Sequence, residues 1–370
     1  MALANKIDAA QAAETLTRWL AGKTPGATEV KVTDVTVPSA SGLSTETVLF
    51  TAHWSREGFA ETQGMVARVA PDGPGVFPSY DLAKEASVMA ALAENTDVPA
   101  PRILFTEDDP AVLGAPFLVM EHVTGQIPSD DPPFTTGGWV LELSPAQRRD
   151  MWLRSIDVLA AIHAVDHTGL GLDFLESAEH GGGLDAQLER WSQLFDWARE
   201  GQPNPTIEDA FRWLRENQPT DPGPNVLNWG DARVGNIIYS QDQQPAAVLD
   251  WEMVSLVNRE VELGWWLFLM RHHTEGIGAP LPEGIPGPEE TIARYQQTSG
   301  HQLADLHWYE VFAGARLASI MVRAARMMID GGLLPPESTM ALNNPASQLL
   351  ASLLGLPSPT GETTSFIGNR

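Results

Sequence analysis

The sequence predicts an α+β protein of two lobes, a β-rich N-terminal lobe with one main helix followed by a mostly helical C-terminal lobe. Three observations predict it. The first third carries short, alternating, β-branched runs separated by turn residues, the signature of strands. From Ser144 onward the apolar residues recur at helical spacing. At 370 residues the chain is too long for one compact core and fits two.

The elements follow in order. Ile7 to Leu20 reads as a helix, with Ala10, Leu16, Trp19 and Leu20 on a helical period. Val30 to Val37 alternates as a strand, Thr45 to Trp54 as a second and Met65 to Ala70 as a third. A small-residue turn, Pro38 to Ser44, separates the first two. Asp81 to Asn95 is helical in pattern, and Arg102 to Thr106 and Phe117 to Val123 complete a five-stranded set. Pro99 and Pro101 sit in the loop before them, where proline does no harm to a ladder. Thr124 to Leu143, with Gly, Pro and the paired Asp130 and Asp131, reads as an irregular insertion.

Ser144-Pro145-Ala146-Gln147 then spells a capping box with proline at the first helical position. Trp152, Ile156, Leu159 and Ile162 mark the buried stripe of that helix. Further helices are expected at Leu184 to Arg199, Thr206 to Asn217, Glu289 to Ser299 and Leu306 to Ile329. One interruption, Val226 to Trp251, reads as two short strands around a loop, and the tail after Pro357 as mobile. The lobes are therefore expected over residues 1–123 and 124–370.

Composition excludes several function classes. A formal charge of -25 argues against a nucleic-acid partner, because such binding needs Lys and Arg to neutralise phosphates. The charge would suit a cationic acceptor or a divalent metal, and equally a merely soluble surface. With no cysteine there is no disulfide, thiolate nucleophile or Cys-based zinc site. The longest apolar run, about Leu263 to Met270, is far short of a bilayer span, and the first residues lack a secretory pattern. A cytoplasmic address without membrane attachment is the expectation, and the sequence is silent on oligomeric state. Walker A, G-x-G-x-x-G and G-x-S-x-G patterns are missing, which removes the usual rival chemistries.

The chemistry-bearing segment runs Asn228-Trp229-Gly230-Asp231-Ala232-Arg233-Val234-Gly235-Asn236, followed after a hairpin by Leu249-Asp250-Trp251-Glu252. Phosphoryl transfer asks little covalent help of a protein: a carboxylate to orient a hydroxyl, and oxygen ligands to hold Mg²⁺ against phosphates. Asp231 and Asn236 share one turn-rich loop, and Asp250 ends an apolar strand. The pattern resembles the H-G-D-x-x-x-x-N loop and following D-W/F-E of the aminoglycoside phosphotransferase and choline-kinase-like family.

That resemblance implies the two-lobed protein-kinase-like fold and a phosphotransferase acting on the hydroxyl of a small molecule. ATP is the implied donor, with GTP as the alternative, and Mg²⁺ the metal. It further implies Asp231 as catalytic base, with Asn236 and Asp250 as metal ligands. Gly42, Ser44 and Thr45 stand where the family's phosphate-covering loop runs, and an ordinary turn would read the same way. Arg68 stands where the family's phosphate-bridging cation lies, and Glu85 on the next helix is its expected ion-pair partner. Phe117 to Gly125 resembles the hinge between lobes, so Glu121 and Val123 would offer backbone bonds to a purine and Met120 would line its pocket.

Three departures stand out. Trp229 replaces the family's histidine, Glu262 replaces a bracing aspartate, and Arg233 stands where protein kinases place a lysine. Arg233, two residues past Asp231, could steady the transferring phosphate, bind an anionic acceptor or form a surface ion pair. His163 reads as structural. The acceptor stays open between an aminoglycoside-like sugar, choline or another metabolite, and a hydroxyacyl-CoA, the last suggested by similarity to the hydroxyacyl-CoA kinase branch. The alternative function is a catalytically silent kinase-like binding module.

Overall fold

The computed structural model describes residues 7–38, 45–180 and 182–362. The chain divides into two compact units, Met1–Asn95 with Ala100–Thr124, and Thr96–Pro99 with Gly125–Arg370.

The first unit opens with α1, Ala9–Lys23, whose first turn is capped by Asp8 accepting from the Gln11 N–H. Strands β1 (Thr28–Thr36), β2 (Glu46–Arg56) and β3 (Phe59–Val69) follow, then helix α2 (Leu82–Asn95), β4 (Ile103–Glu107) and β5 (Phe117–Glu121). They form one five-stranded antiparallel sheet in the order β1-β2-β3-β5-β4. β3 starts earlier than its apolar run suggests. Glu57 and Gly58, both at positive φ, make a two-residue hairpin turn that carries the pairing down to Arg56 opposite Phe59. Leu16 and Leu20 of α1 share a buried core with Val48, Phe50, Ala67 and Val119 of the sheet.

The second unit holds helices α3 (Trp139–Glu142), α4 (Pro145–His163), α5 (Leu184–Arg199), α6 (Pro205–Glu216), α7 (Glu260–His272), α8 (Pro288–Ser299), α9 (His307–Asp330) and α10 (Pro345–Leu353). The capping box of α4 forms as its residues dictate, Ser144 accepting from the Gln147 N–H while the Gln147 side chain accepts from the Ser144 N–H.

The interruption between α6 and α7 is richer than two strands. β6 (Asn225–Asn228) pairs with β9 (Ser255–Asn258), and between them β7 (Ile237–Tyr239) pairs with β8 (Pro245–Val248). The sequence conceals β9 because its burial is complete on both faces, so it shows no alternation. Helix α7 is likewise buried all round from Val261 to Met270, and packs on α9. The tail expected to be mobile is held at least to Glu362, where Thr339 donates to its carbonyl and Asn343 donates to that of Gly361. Among the described residues no helix is long and apolar enough to cross a membrane.

Candidate active site

The loop from Trp229 to Asn236 leaves β6 through Gly230, at φ 100. A Cβ there would collide with the Met253 carbonyl, so only glycine fits the bend. The backbone N–H groups of Trp229 (3.1 Å) and Gly230 both donate to the carboxylate of Glu262, in the first turn of α7. Glu262 is buried and also lies 2.8 Å from His163 Nε2. A carboxylate can only accept, so Nε2 donates to Glu262, and Nδ1 lies 2.6 Å from the Tyr295 hydroxyl. One buried acid therefore ties the start of the loop to α4, α7 and α8.

Asp231 is held by three donors. Trp265 Nε1 donates to Oδ1 at 2.9 Å, while Asn236 Nδ2 (2.7 Å) and Arg233 Nε (3.0 Å) donate to Oδ2. Asn236 Nδ2 also reaches the Asp231 carbonyl at 3.1 Å, which commits the amide nitrogen and leaves Oδ1 of Asn236 as the atom it could offer a metal. Leu249 N–H donates to the Asn236 carbonyl at 2.8 Å, and Trp229 Nε1 donates to the carbonyls of Leu249 (2.8 Å) and Asp250 (3.2 Å). The tryptophan that replaces the family's histidine thus fastens the loop to the end of β8.

Asp250 sits at φ 63, in the left-handed region that non-glycine residues enter at a cost of about 1–3 kcal/mol, and such residues gather at functional sites. An amide oxygen and a carboxylate on tied segments are the hard oxygen donors that suit Mg²⁺.

Arg233 bridges two acids. Beyond Asp231, its Nη1 donates to both oxygens of Asp130, at 2.8 and 2.6 Å. A Cβ on Gly235 would strike this pair, so the glycine makes room for it. The Arg233 side chain is 21% exposed and that of Asp130 43%, so the pair is partly open to solvent. Burial opposes its charge, but Asp130 and Asp231 hold the guanidinium above its ordinary pKa. For Asp130 the cost of burial, which alone would raise the carboxyl, is outweighed by Arg233 and His273, and it stays below the usual range.

His273 Nε2 lies 3.9 Å from Asp130, and its neighbour His272 is buried. Burial, aided by His273 and opposed by Asp130, pushes His272 down to about 3. In the unfolded chain that ring protonates at about 6.5. Between those values the unfolded state binds more protons, so stability falls as pH falls from about 6.5 toward 3. His272→Phe should flatten this acid sensitivity, seen by comparing urea midpoints at neutral and mildly acidic pH. An unchanged slope would refute the assignment.

In the first unit, Arg68 on β3 pairs with Glu85 on α2, Nη1 to Oε2 at 3.0 Å, with side chains 9% and 1% exposed. Arg68 Nη2 donates to Thr45 Oγ1 at 3.3 Å. Gly42 and Ser44 lie outside the described residues. Met120 is buried on β5 opposite Val66, two positions beyond Leu118, the partner of Arg68. Glu121 N–H donates to the Arg102 carbonyl at 3.0 Å, its carboxylate accepts from Arg102 N–H and Nε, and Val123 follows the strand end. The structure thus joins Arg68, Glu85 and Thr45, and separately Asp231, Arg233, Asn236 and the segment bearing Asp250. Sequence reasoning missed Trp265 and Asp130. They lie 34 and 103 residues from their partners, and no local spacing signals such contacts.

The model of the phosphotransferase enzyme family matches residues 37–309. The chain is 27% identical over 308 residues to an Arabidopsis thaliana protein classed as an acyl-CoA dehydrogenase, covering 78% of this chain and 36% of that one. It is 30% identical over 278 residues to acyl-CoA dehydrogenase family member 10 of Mus musculus, covering 72% of this chain and 25% of that one. The chain thus spans roughly a quarter to a third of the length of these relatives. A crystal structure from Ralstonia eutropha, classed as an aminoglycoside phosphotransferase, is similar with a TM-score of 0.68 at 24% identity, covering 92% of this chain and 95% of that one. The architecture is that of the kinase-like phosphotransferases.

Proposed function

Since the chain belongs to the phosphotransferase enzyme family, we propose that it moves the γ-phosphoryl group of ATP to a hydroxyl of a small molecule. One observation carries the reading: the Asp231 carboxylate, fixed by three donors, sits on a loop tied to the segment that bears Asp250. Asp231 orients the acceptor hydroxyl and takes its proton. Asn236 Oδ1 and the Asp250 carboxylate would hold Mg²⁺, which would neutralise charge on the phosphates. Arg68, steadied by Glu85, clamps the phosphates beside the loop of Gly42, Ser44 and Thr45. Met120, Glu121 and Val123 receive the purine, with GTP as the alternative nucleotide.

The acceptor reading is a hydroxyacyl-CoA. Its support is that the chain matches part of proteins named for acyl-CoA chemistry. The silent binding module has less behind it, because Asp231, Asn236 and Asp250 are all retained and Trp229 binds the loop rather than disrupting it.

Thermal melting with Mg-ATP, Mg-GTP and metal-free nucleotide tests the reading in wild type and Asp250→Asn. Asparagine is chosen because it tolerates the left-handed backbone. Ligand at about 100 times its Kd adds ~2.7 kcal/mol of stability, a readily measured shift. A Mg-dependent shift in wild type that disappears in Asp250→Asn is expected. Phosphate transfer to a 4-hydroxyacyl-CoA, but not to kanamycin-type sugars or choline, is the expected outcome of an acceptor panel. No shift with either nucleotide would defeat the proposal.

A further inference from the structure

Arg316, on α9, has unusual company for a buried cation. It is 2% exposed, and its guanidinium carbon lies 4.4 Å from the ring centre of Trp265 and 4.7 Å from that of Trp191. Its Nη2 donates to the Gly230 carbonyl at 3.1 Å, and its Nε has no hydrogen-bond partner among the described residues. Burial pushes the group down to about 10, against the pull of Glu262 and Asp231, so it is charged at neutral pH. Burying a cation against aromatic faces and one carbonyl is costly, and an apolar side chain would pack the same space more cheaply.

Its position accounts for that cost. Trp265, the ring nearest the guanidinium, is the donor to Asp231 Oδ1. A cation over an indole draws on its π electrons and makes the ring N–H a stronger donor. The Gly230 carbonyl, which Arg316 also holds, belongs to the peptide that leads directly into Asp231. Trp265 and Glu262 stand three residues apart on α7, so both rise from one face of that helix toward the loop.

We infer that Arg316 and Trp265 are a positioning pair for the acceptor base, Arg316 fixing the indole and the Gly230 carbonyl, and Trp265 fixing the Asp231 oxygen that Arg233 and Asn236 do not hold. The pair acts through Asp231. The inference rests on the phosphotransferase reading and adds to it the source of the carboxylate's orientation.

Three variants and an indole signal separate this role from plain packing. Trp265→Phe keeps an aromatic ring for Arg316 and removes the N–H with the five-membered part of the indole, while Arg316→Met removes the charge and Arg316→Lys restores it. With Mg-ATP and a 4-hydroxyacyl-CoA as probes, Trp265→Phe should lower kcat roughly tenfold to hundredfold with KM for ATP unchanged. Arg316→Met should fall in the same way, and Arg316→Lys should recover part of the loss. In parallel, the indole N–H resonance of Trp265, one of 12 tryptophans, is assigned as the signal lost in Trp265→Phe. It should move in both Asp231→Ala and Arg316→Met. A kcat for Trp265→Phe equal to wild type, or an indole signal unmoved by Asp231→Ala or Arg316→Met, overturns the pair. Wild type inactive with Mg-ATP and every acceptor would strike the phosphotransferase reading instead, and the indole signal would still decide whether the pair is coupled to Asp231.

Discussion

Asp231→Ala is expected to lose phosphoryl transfer by a factor of roughly 10²–10⁴, the usual worth of a positioned acid–base group, while still gaining thermal stability from Mg-ATP. The separation follows from the side chain's contacts. Its carboxylate is engaged by Trp265, Arg233 and Asn236, and the groups proposed to hold the nucleotide, Arg68, Glu85 and Thr45, make their own contacts in the other unit. Rates measured alongside melting curves would show both halves of the expectation. Turnover equal to wild type would remove Asp231 from the chemistry, and loss of the Mg-ATP shift would mean that it binds nucleotide rather than acceptor.

The second large effect concerns stability. Glu262→Ala leaves the N–H groups of Trp229 and Gly230, and the ring of His163, facing one another in a buried space without their acceptor. Three buried donors left without their acceptor cost about 3–5 kcal/mol together, far beyond an ordinary surface substitution. Urea unfolding followed by tryptophan fluorescence would measure it. A loss under about 1 kcal/mol would mean that water replaces the carboxylate, and that the loop is held by other contacts.

Local patterns made much of this architecture legible. The strands of the first unit, the Ser144 capping box and α5 over Leu184–Arg199 all announce themselves through alternation, capping residues or an amphipathic stripe. The segment from Asn228 to Asp250 stood out for a different reason, its resemblance to the H-G-D-x-x-x-x-N loop and following D-W/F-E of the phosphotransferase family, which the spacing of Asp231 and Asn236 alone would not carry. What stayed hidden was either buried on every side or assembled at long range. β9 and α7 lack periodicity because no face of either meets water. The first residues of β3, including Glu61, Thr62 and Gln63, look polar because only the hairpin turn, not burial, makes them a strand. The Arg233–Asp130 pair and the Arg316–Trp265 stack join side chains brought together by packing alone.

The pairing of β6 with β9 has a consequence for which changes the chain can absorb. Asn228 lies opposite Ser255 and Leu227 opposite Leu256, so the ladder sets the register of the loop that begins at Trp229 against the helix that begins at Glu260. Gaining or losing one residue between Asp250 and Glu262 would either slip that ladder, exchanging the faces of β9, or turn α7 by about 100°. Either event would carry Glu262 and Trp265 away from the Gly230 peptide and the Asp231 carboxylate together. This stretch therefore admits no change of length, and a single-codon insertion there would do more harm than most substitutions.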